Sequence, residues 1–94
     1  MRAYVEVFIE SGRDLLASAD YIRGIDGVIE AYAVSEHCDI MALVEGKDFR
    51  SIFELVMRKI RVIRGVIGTR ILPCIDMEVS KDADGSKVTN LPSL

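Results

Sequence analysis

The sequence is short of the residues that make a chemical site easy to recognise. It has no tryptophan, one histidine and two cysteines in 94 residues. Two cysteines, Cys38 and Cys74, are too few for a disulfide framework, which points to a reduced, cytoplasmic protein. No apolar run approaches the ~20 residues of a membrane span, and the N-terminus shows no signal-peptide hydrophobic region. Positive charge is not in excess: the net charge of -3 argues against general polyanion binding. Metal motifs are missing too, because no second C-x-x-C or H-x-x-x-H backs up His37 and Cys38.

What is present is a hydrophobic half, 50% of the residues, sufficient for one small domain. The chain also repeats itself. Ile25-Asp26-Gly27-Val28-Ile29 returns as Ile63-Arg64-Gly65-Val66-Ile67, each between a helical pattern and a strand pattern. Two copies imply a pseudo-symmetric fold rather than a solenoid.

Each half reads as strand, helix, strand. Ala3 to Glu10 alternates, with Ala3, Val5, Val7 and Ile9 on one face and Tyr4 and Phe8 on the other. Ser11-Gly12-Arg13-Asp14 has the form of a capping box with Ser11 as N-cap. Leu15, Ala19 and Ile22 make a helical stripe that Gly24 ends. Val28 to Ser35 is the second strand and Ile40 to Glu45 the third. Asp48 is the N-cap of a second helix whose stripe is Phe49, Ile52, Phe53, Val56 and Ile60. The last strand runs from Val66 to about Ile75, with Pro73 suited to a sheet edge.

The order βαββαβ with right-handed crossovers predicts an α+β, ferredoxin-like fold: a four-stranded antiparallel sheet with both helices on one face. Strand one then separates strands three and four, so Cys38 and Cys74 lie too far apart to pair. The domain is expected over residues 1–78, with 79–94 as a mobile tail or short hairpin. Asp82-Ala83-Asp84-Gly85 in that tail lacks the glutamate of a calcium loop. The uncovered sheet face carries Tyr4, Phe8, Met41 and Leu43, which predicts a homodimer with sheets packed face to face, a dimeric α/β-barrel-type assembly.

Glu36-His37-Cys38-Asp39 gathers most of the reactive groups in one connection between strands two and three. Neighbouring side chains on extended backbone diverge, so His37 and Cys38 make neither a metal site nor a dyad by themselves. Arg58-Lys59-Ile60-Arg61 with Arg64 is the strongest basic cluster, but cations suit a helix C-terminus. Strand three also lacks the aromatics of an RNA-reading sheet. Direct DNA binding is not expected.

Ala31-Tyr32-Ala33-Val34-Ser35, Asp39-Ile40-Met41-Ala42-Leu43-Val44-Glu45 and Ile63-Arg64-Gly65-Val66-Ile67-Gly68-Thr69, in this order and spacing, resemble the effector-binding (RAM) domain of the Lrp/AsnC transcriptional regulators. The resemblance covers roughly Ala3 to Met77. It implies a non-enzymatic module, free of cofactors, that binds an amino acid or related small molecule and oligomerises through dimers to an octamer or decamer class. The chain begins at the first strand, so it resembles a stand-alone version without the helix-turn-helix domain, with full-length regulators of the family as further partners.

In the family the hairpin between strands two and three lines the effector cleft, with a pattern near [T/S]-G-x-[Y/W/F/D]-D. Ser35 and Asp39 match it, and Thr69 matches a threonine of the last strand. The resemblance therefore implies effector contacts from Ser35, Glu36, His37, Asp39 and Thr69. Glu36 stands where the family has glycine and Cys38 where it has an aromatic. The added charge either abolishes binding or shifts it towards a cationic ligand such as arginine or lysine. The other readings are a small dimeric α/β-barrel enzyme using His37 for proton chemistry, or an oligomerisation scaffold without ligand.

Overall fold

Alternating apolar residues on the first strand and a glycine-terminated helix fix the layout seen in the computed structural model, which describes residues 1–75. The elements are β1 (Arg2–Ile9), α1 (Leu15–Arg23), β2 (Val28–Ala33), β3 (Ile40–Glu45), α2 (Phe49–Leu55) and β4 (Val66–Pro73). The four strands form one antiparallel sheet in the order β2-β3-β1-β4, the ferredoxin-like arrangement. The expected tail and the Asp82–Gly85 stretch lie outside the described residues.

One face of the sheet and both helices make the core. Ala3, Val5 and Val7 of β1, Ile40, Ala42 and Val44 of β3, and Ala31 of β2 are buried against Ala19, Ile22, Ile52, Val56 and Ile60. The alternation on β1 and the alignment of Leu15, Ala19 and Ile22 follow the sequence pattern, with Leu15 partly buried. Pro73 ends β4 on the sheet edge, where no neighbouring strand needs its missing N–H. Cys38 and Cys74 are both free thiols.

The repeated pentapeptides are the same turn used twice. Val28 N–H donates to Ile25 O and Val66 N–H to Ile63 O, both at 3.0 Å. Gly27 (φ +99°) and Gly65 (φ +96°) take the left-handed position. Each then ties its turn to a strand end: Glu45 N–H reaches Gly27 O and Glu10 N–H reaches Gly65 O, each at 2.8 Å.

Three local expectations are corrected. The N-cap of α1 is Asp14 rather than Ser11: its carboxylate accepts from Ala17 N–H at 3.1 Å. A carboxylate next to the first helical residue outcompetes a hydroxyl three residues earlier, and helix formation starts later. Asp48 does cap α2, accepting from Ser51 N–H at 2.9 Å. Within the second helix, Ile52, Val56 and Ile60 face the core, whereas Phe49 and Phe53 are 44% and 45% exposed. The helix widens into a π-helical turn over Val56–Ile60, with Arg61 N–H bonded to Val56 O at 2.8 Å. Both phenylalanines precede that turn, in the regular helix Phe49–Leu55, where Ile52 holds the core side and Phe49 and Phe53 flank it. Finally, β2 ends at Ala33 and β4 at Pro73, each two residues short of the predicted ends.

Candidate functional site

The 34–39 connection leaves β2 and enters β3 beside the end of β1. Asp39 is its fixed point. Its backbone N–H donates to Val7 O at 3.1 Å and its carbonyl accepts from Val34 N–H at 3.0 Å. Its carboxylate Oδ2 accepts from Ile9 N–H at 2.7 Å, just past a register shift between Phe8 and Ile9. The aspartate therefore serves as the missing backbone acceptor for β1 and stitches three strand ends together.

Between Val34 and Asp39 the chain reverses through two consecutive left-handed residues, Glu36 (φ +65°) and His37 (φ +42°). Neither is glycine, so each carries a conformational cost of about 1–2 kcal/mol. This bend corrects the expectation of extended backbone through His37. It swings the imidazole back over the sheet, where Nε2 lies 2.8 Å from Glu6 Oε2.

Glu6 is the residue that sequence reasoning missed. On an alternating strand it reads as a solvent position between Tyr4 and Phe8. In the structure its side chain is only 5% exposed, flanked in register by Met41 of β3 and Arg70 of β4. Arg70 Nε approaches Oε1 to 3.4 Å, yet Oε1 is buried without a hydrogen-bond partner. The one available signal was that Glu6 and His37 both project to the uncovered face, which only the register reveals.

Cys38 is buried rather than exposed on the hairpin, and its Sγ lies 3.6 Å from Ile40 O. Burial, followed by the negative charges of Glu6 and Asp39, pushes its thiol up from the ordinary value, against a backbone hydrogen bond at Val7. A thiol held protonated is a poor nucleophile. Among the described residues, no three histidine, cysteine or acidic side chains converge to hold a metal.

Phe8, Glu36, His37, Cys38 and Asp39 line an open depression of about 170 Å³. Of the predicted site residues, the fold brings Glu36, His37 and Asp39 together there. Ser35 is exposed on the approach from β2. Thr69 pairs with Val7, whose side chain is in the core, so it sits on the helix-facing side of the sheet, away from the depression.

Residues 2–83 match the family described as the Lrp/AsnC ligand binding domain. The chain belongs to that family. Among solved structures it resembles Escherichia coli AsnC, with 19% identity and a TM-score of 0.73 over 82% of this chain and 52% of the other. A Thermus thermophilus protein is 28% identical, with a TM-score of 0.73 over 81% of this chain and 94% of its own. A Neisseria meningitidis transcriptional regulator in complex with L-methionine is 19% identical, with a TM-score of 0.65 over 81% of this chain and 52% of the regulator. The Lrp/AsnC-type domain thus spans about half the length of AsnC and of that regulator. No curated protein matches. No helix among the described residues is long and apolar enough to cross a membrane.

Proposed function

We propose that this Lrp/AsnC-type domain is a non-enzymatic, self-associating regulatory module that binds an amino acid at the 34–39 hairpin. The family match over residues 2–83 carries the reading. It is supported by the neighbour bound to L-methionine and by a Mycobacterium tuberculosis feast or famine regulatory protein complexed with L-methionine (20% identity, TM-score 0.69). Ser35, Glu36, His37 and Asp39 are the ligand-facing set. The depression is shallow in one chain, so its ligand is closed in by a further copy in the assembled oligomer, of octamer or decamer class. Co-assembly with other regulators of the family follows from the same surfaces.

The charge of the hairpin decides the effector class. Asp39 has one carboxylate oxygen occupied by Ile9 N–H, leaving the other for a ligand ammonium. Glu36 lies in the same lining and opposes a ligand carboxylate. The lining contains no arginine or lysine, so an amino acid with a second positive charge fits better than a neutral or acidic one. Titration calorimetry with an amino-acid panel, read beside light-scattering mass, tests this. Arginine or lysine should bind tightest, and Glu36→Gln should narrow their advantage. Tighter binding of neutral or acidic amino acids sinks the cationic preference, and no binding by any member sinks the sensor.

One observation favours a second reading. The imidazole of His37 is oriented by a buried carboxylate, the relation that prepares a histidine for proton transfer. With Nε2–H directed at Glu6, Nδ1 is left as the free acceptor. In an enzyme of the dimeric α/β-barrel type this pair would do the proton chemistry. Turnover abolished by His37→Gln, with binding intact, selects that reading over the sensor.

A further inference from the structure

The outer side of the second helix carries an apolar ridge that the core does not use. Phe49 and Phe53 are exposed, their rings 6.3 Å apart and tilted by 31°. Met57 continues the ridge one turn on, half-buried, in the unbroken helical stretch from Phe49 to Ile60. A second ridge runs beside it at the same spacing: Arg50, Glu54 and Arg58, alternating in charge. Between the ridges lies an open groove of about 410 Å³, lined by Arg50, Phe53, Glu54, Met57 and Arg58. Phenylalanines outside the core keep their apolar surface in water unless something covers it.

The spacing identifies the cover. Consider a second copy of the helix laid antiparallel to the first, about a two-fold axis level with Ile52. Arg50 then stands level with Glu54 of the copy, and Glu54 with its Arg50. Such an axis keeps each flank on its own side, so charged ridge meets charged ridge and apolar ridge meets apolar ridge. Along the seam the apolar side chains alternate between the copies. Phe49 of one falls between Phe53 and Met57 of the other, the two apolar walls of the groove.

The charges support the same register. Arg50 forms no ion pair among the described residues, and Glu54 holds Arg58 only loosely, at 3.9 Å. Moving the axis one turn on would set Arg58 level with Glu54 of the copy, but it would carry Phe49 past the end of the copy's helix and leave the groove unfilled. The face is complementary to itself in one register.

We propose that the outer face of the second helix docks the same helix of a second copy of this chain, antiparallel, with Phe49 in the groove and Arg50 against Glu54. This surface is separate from the open face of the sheet and from the 34–39 hairpin. The proposal rests on the self-association reading above and adds a named contact to it.

Charge exchange tests the pairing. The full chain is prepared as Arg50→Glu and, separately, as Glu54→Arg, and association is measured by sedimentation for each alone and for the mixture. Alone, each variant sets like charges against each other and should raise the dissociation constant of this step at least about tenfold. Mixed, the two variants restore opposite charges at both positions and should regain wild-type affinity. Should an exchanged variant fail to fold by circular dichroism, Phe49→Ser carries the test with the same expected loss, since it empties the groove. A wild type that associates no more tightly than the variants overturns the helix contact and leaves the self-association reading standing. Loss in each variant without recovery on mixing overturns the Arg50–Glu54 register. A wild type that is monomeric at tens of micromolar overturns both the contact and the reading beneath it.

Discussion

The chain passes through left-handed backbone at both ends of its sheet, and it does so in two different ways. At the two repeated turns the left-handed positions are Gly27 and Gly65. At the β2–β3 hairpin they are Glu36 and His37. The turns set where β2 and β4 begin, and any side chain there would meet a neighbour. The hairpin has room, and it accepts backbone strain to keep a carboxylate and an imidazole at its tip. Glycine marks where the fold must close. Its absence at the hairpin marks where side chains are retained despite their conformational cost.

The largest effect is expected from breaking that contrast at Gly27. A Cβ built there lies 2.5 Å from Leu55 Cδ1, at a φ of +99° that alanine tolerates poorly. Gly27→Ala should cost about 2–4 kcal/mol, combining backbone strain with displacement of a partly buried leucine. Gly65→Ala meets only the flexible Arg13 side chain, Nε at 2.8 Å, and should cost about 1–2 kcal/mol. Urea denaturation of both variants ranks them. Equal losses would mean that strain alone governs the two turns and that packing against Leu55 contributes nothing.

Asp39 is expected to come next, because it is a fold residue as well as a ligand candidate. Asp39→Ala removes the acceptor for Ile9 N–H and should destabilise by about 1–3 kcal/mol. Asp39→Asn retains an acceptor oxygen and should lose less than half as much. Loss of effector binding in the alanine variant is therefore informative only beside its denaturation curve, and the asparagine variant separates the two roles. If both variants are as stable as wild type, the Ile9 amide has found another acceptor and the anchoring role is wrong.

How much of this was legible depended on whether a residue's partner was near in sequence. The alternation on β1 and the two glycine turns are local patterns, and the fold follows from them. Asp48 was equally legible as a cap because its acceptor role spans three residues. Asp14 was not, since Ser11-Gly12-Arg13-Asp14 satisfies a capping pattern one turn too early. Phe49 and Phe53 were read into the stripe because apolar residues at both edges of a 3.6-residue pattern look alike, and only packing shows that Ile52, Val56 and Ile60 are the buried ones. Glu6 was hidden for a deeper reason. A glutamate on an alternating strand looks solvated, and only a bend 31 residues later brings His37 onto it. The hairpin motif was readable as a candidate site; the carboxylate that meets His37 there was not.

A smaller effect, of the opposite sign, should follow from making the hairpin more like the turns. Glu36→Gly removes the strain at φ +65° at the expense of a freer unfolded chain, for a net gain of up to about 1 kcal/mol. His37→Gly relieves similar strain but also forfeits the contact with Glu6, so it should not stabilise. Thermal melts of the pair decide whether the two left-handed residues are equivalent. Stabilisation by both would show that the His37–Glu6 contact adds nothing to the fold.

The smallest effect concerns the helix caps, where both halves use an aspartate that accepts from the N–H three residues on. Asp48 accepts from Ser51 N–H, and that bond, aided by the nearby Lys47 and Arg50, holds its carboxyl below the ordinary aspartate value. A carboxyl depressed in the folded state releases its proton more readily there than in the unfolded chain. Its contribution to stability is complete above the unfolded value, near pH 4, and fades as pH falls through the folded value. Asparagine caps a helix nearly as well but does not titrate in this range. The stability difference between wild type and Asp48→Asn should therefore be constant from pH 7 to 5 and should shift in favour of the variant below pH 4. A difference that stays flat down to pH 2.5 would mean that Asp48 gains nothing from its charge, and that the cap acts through its hydrogen bond alone.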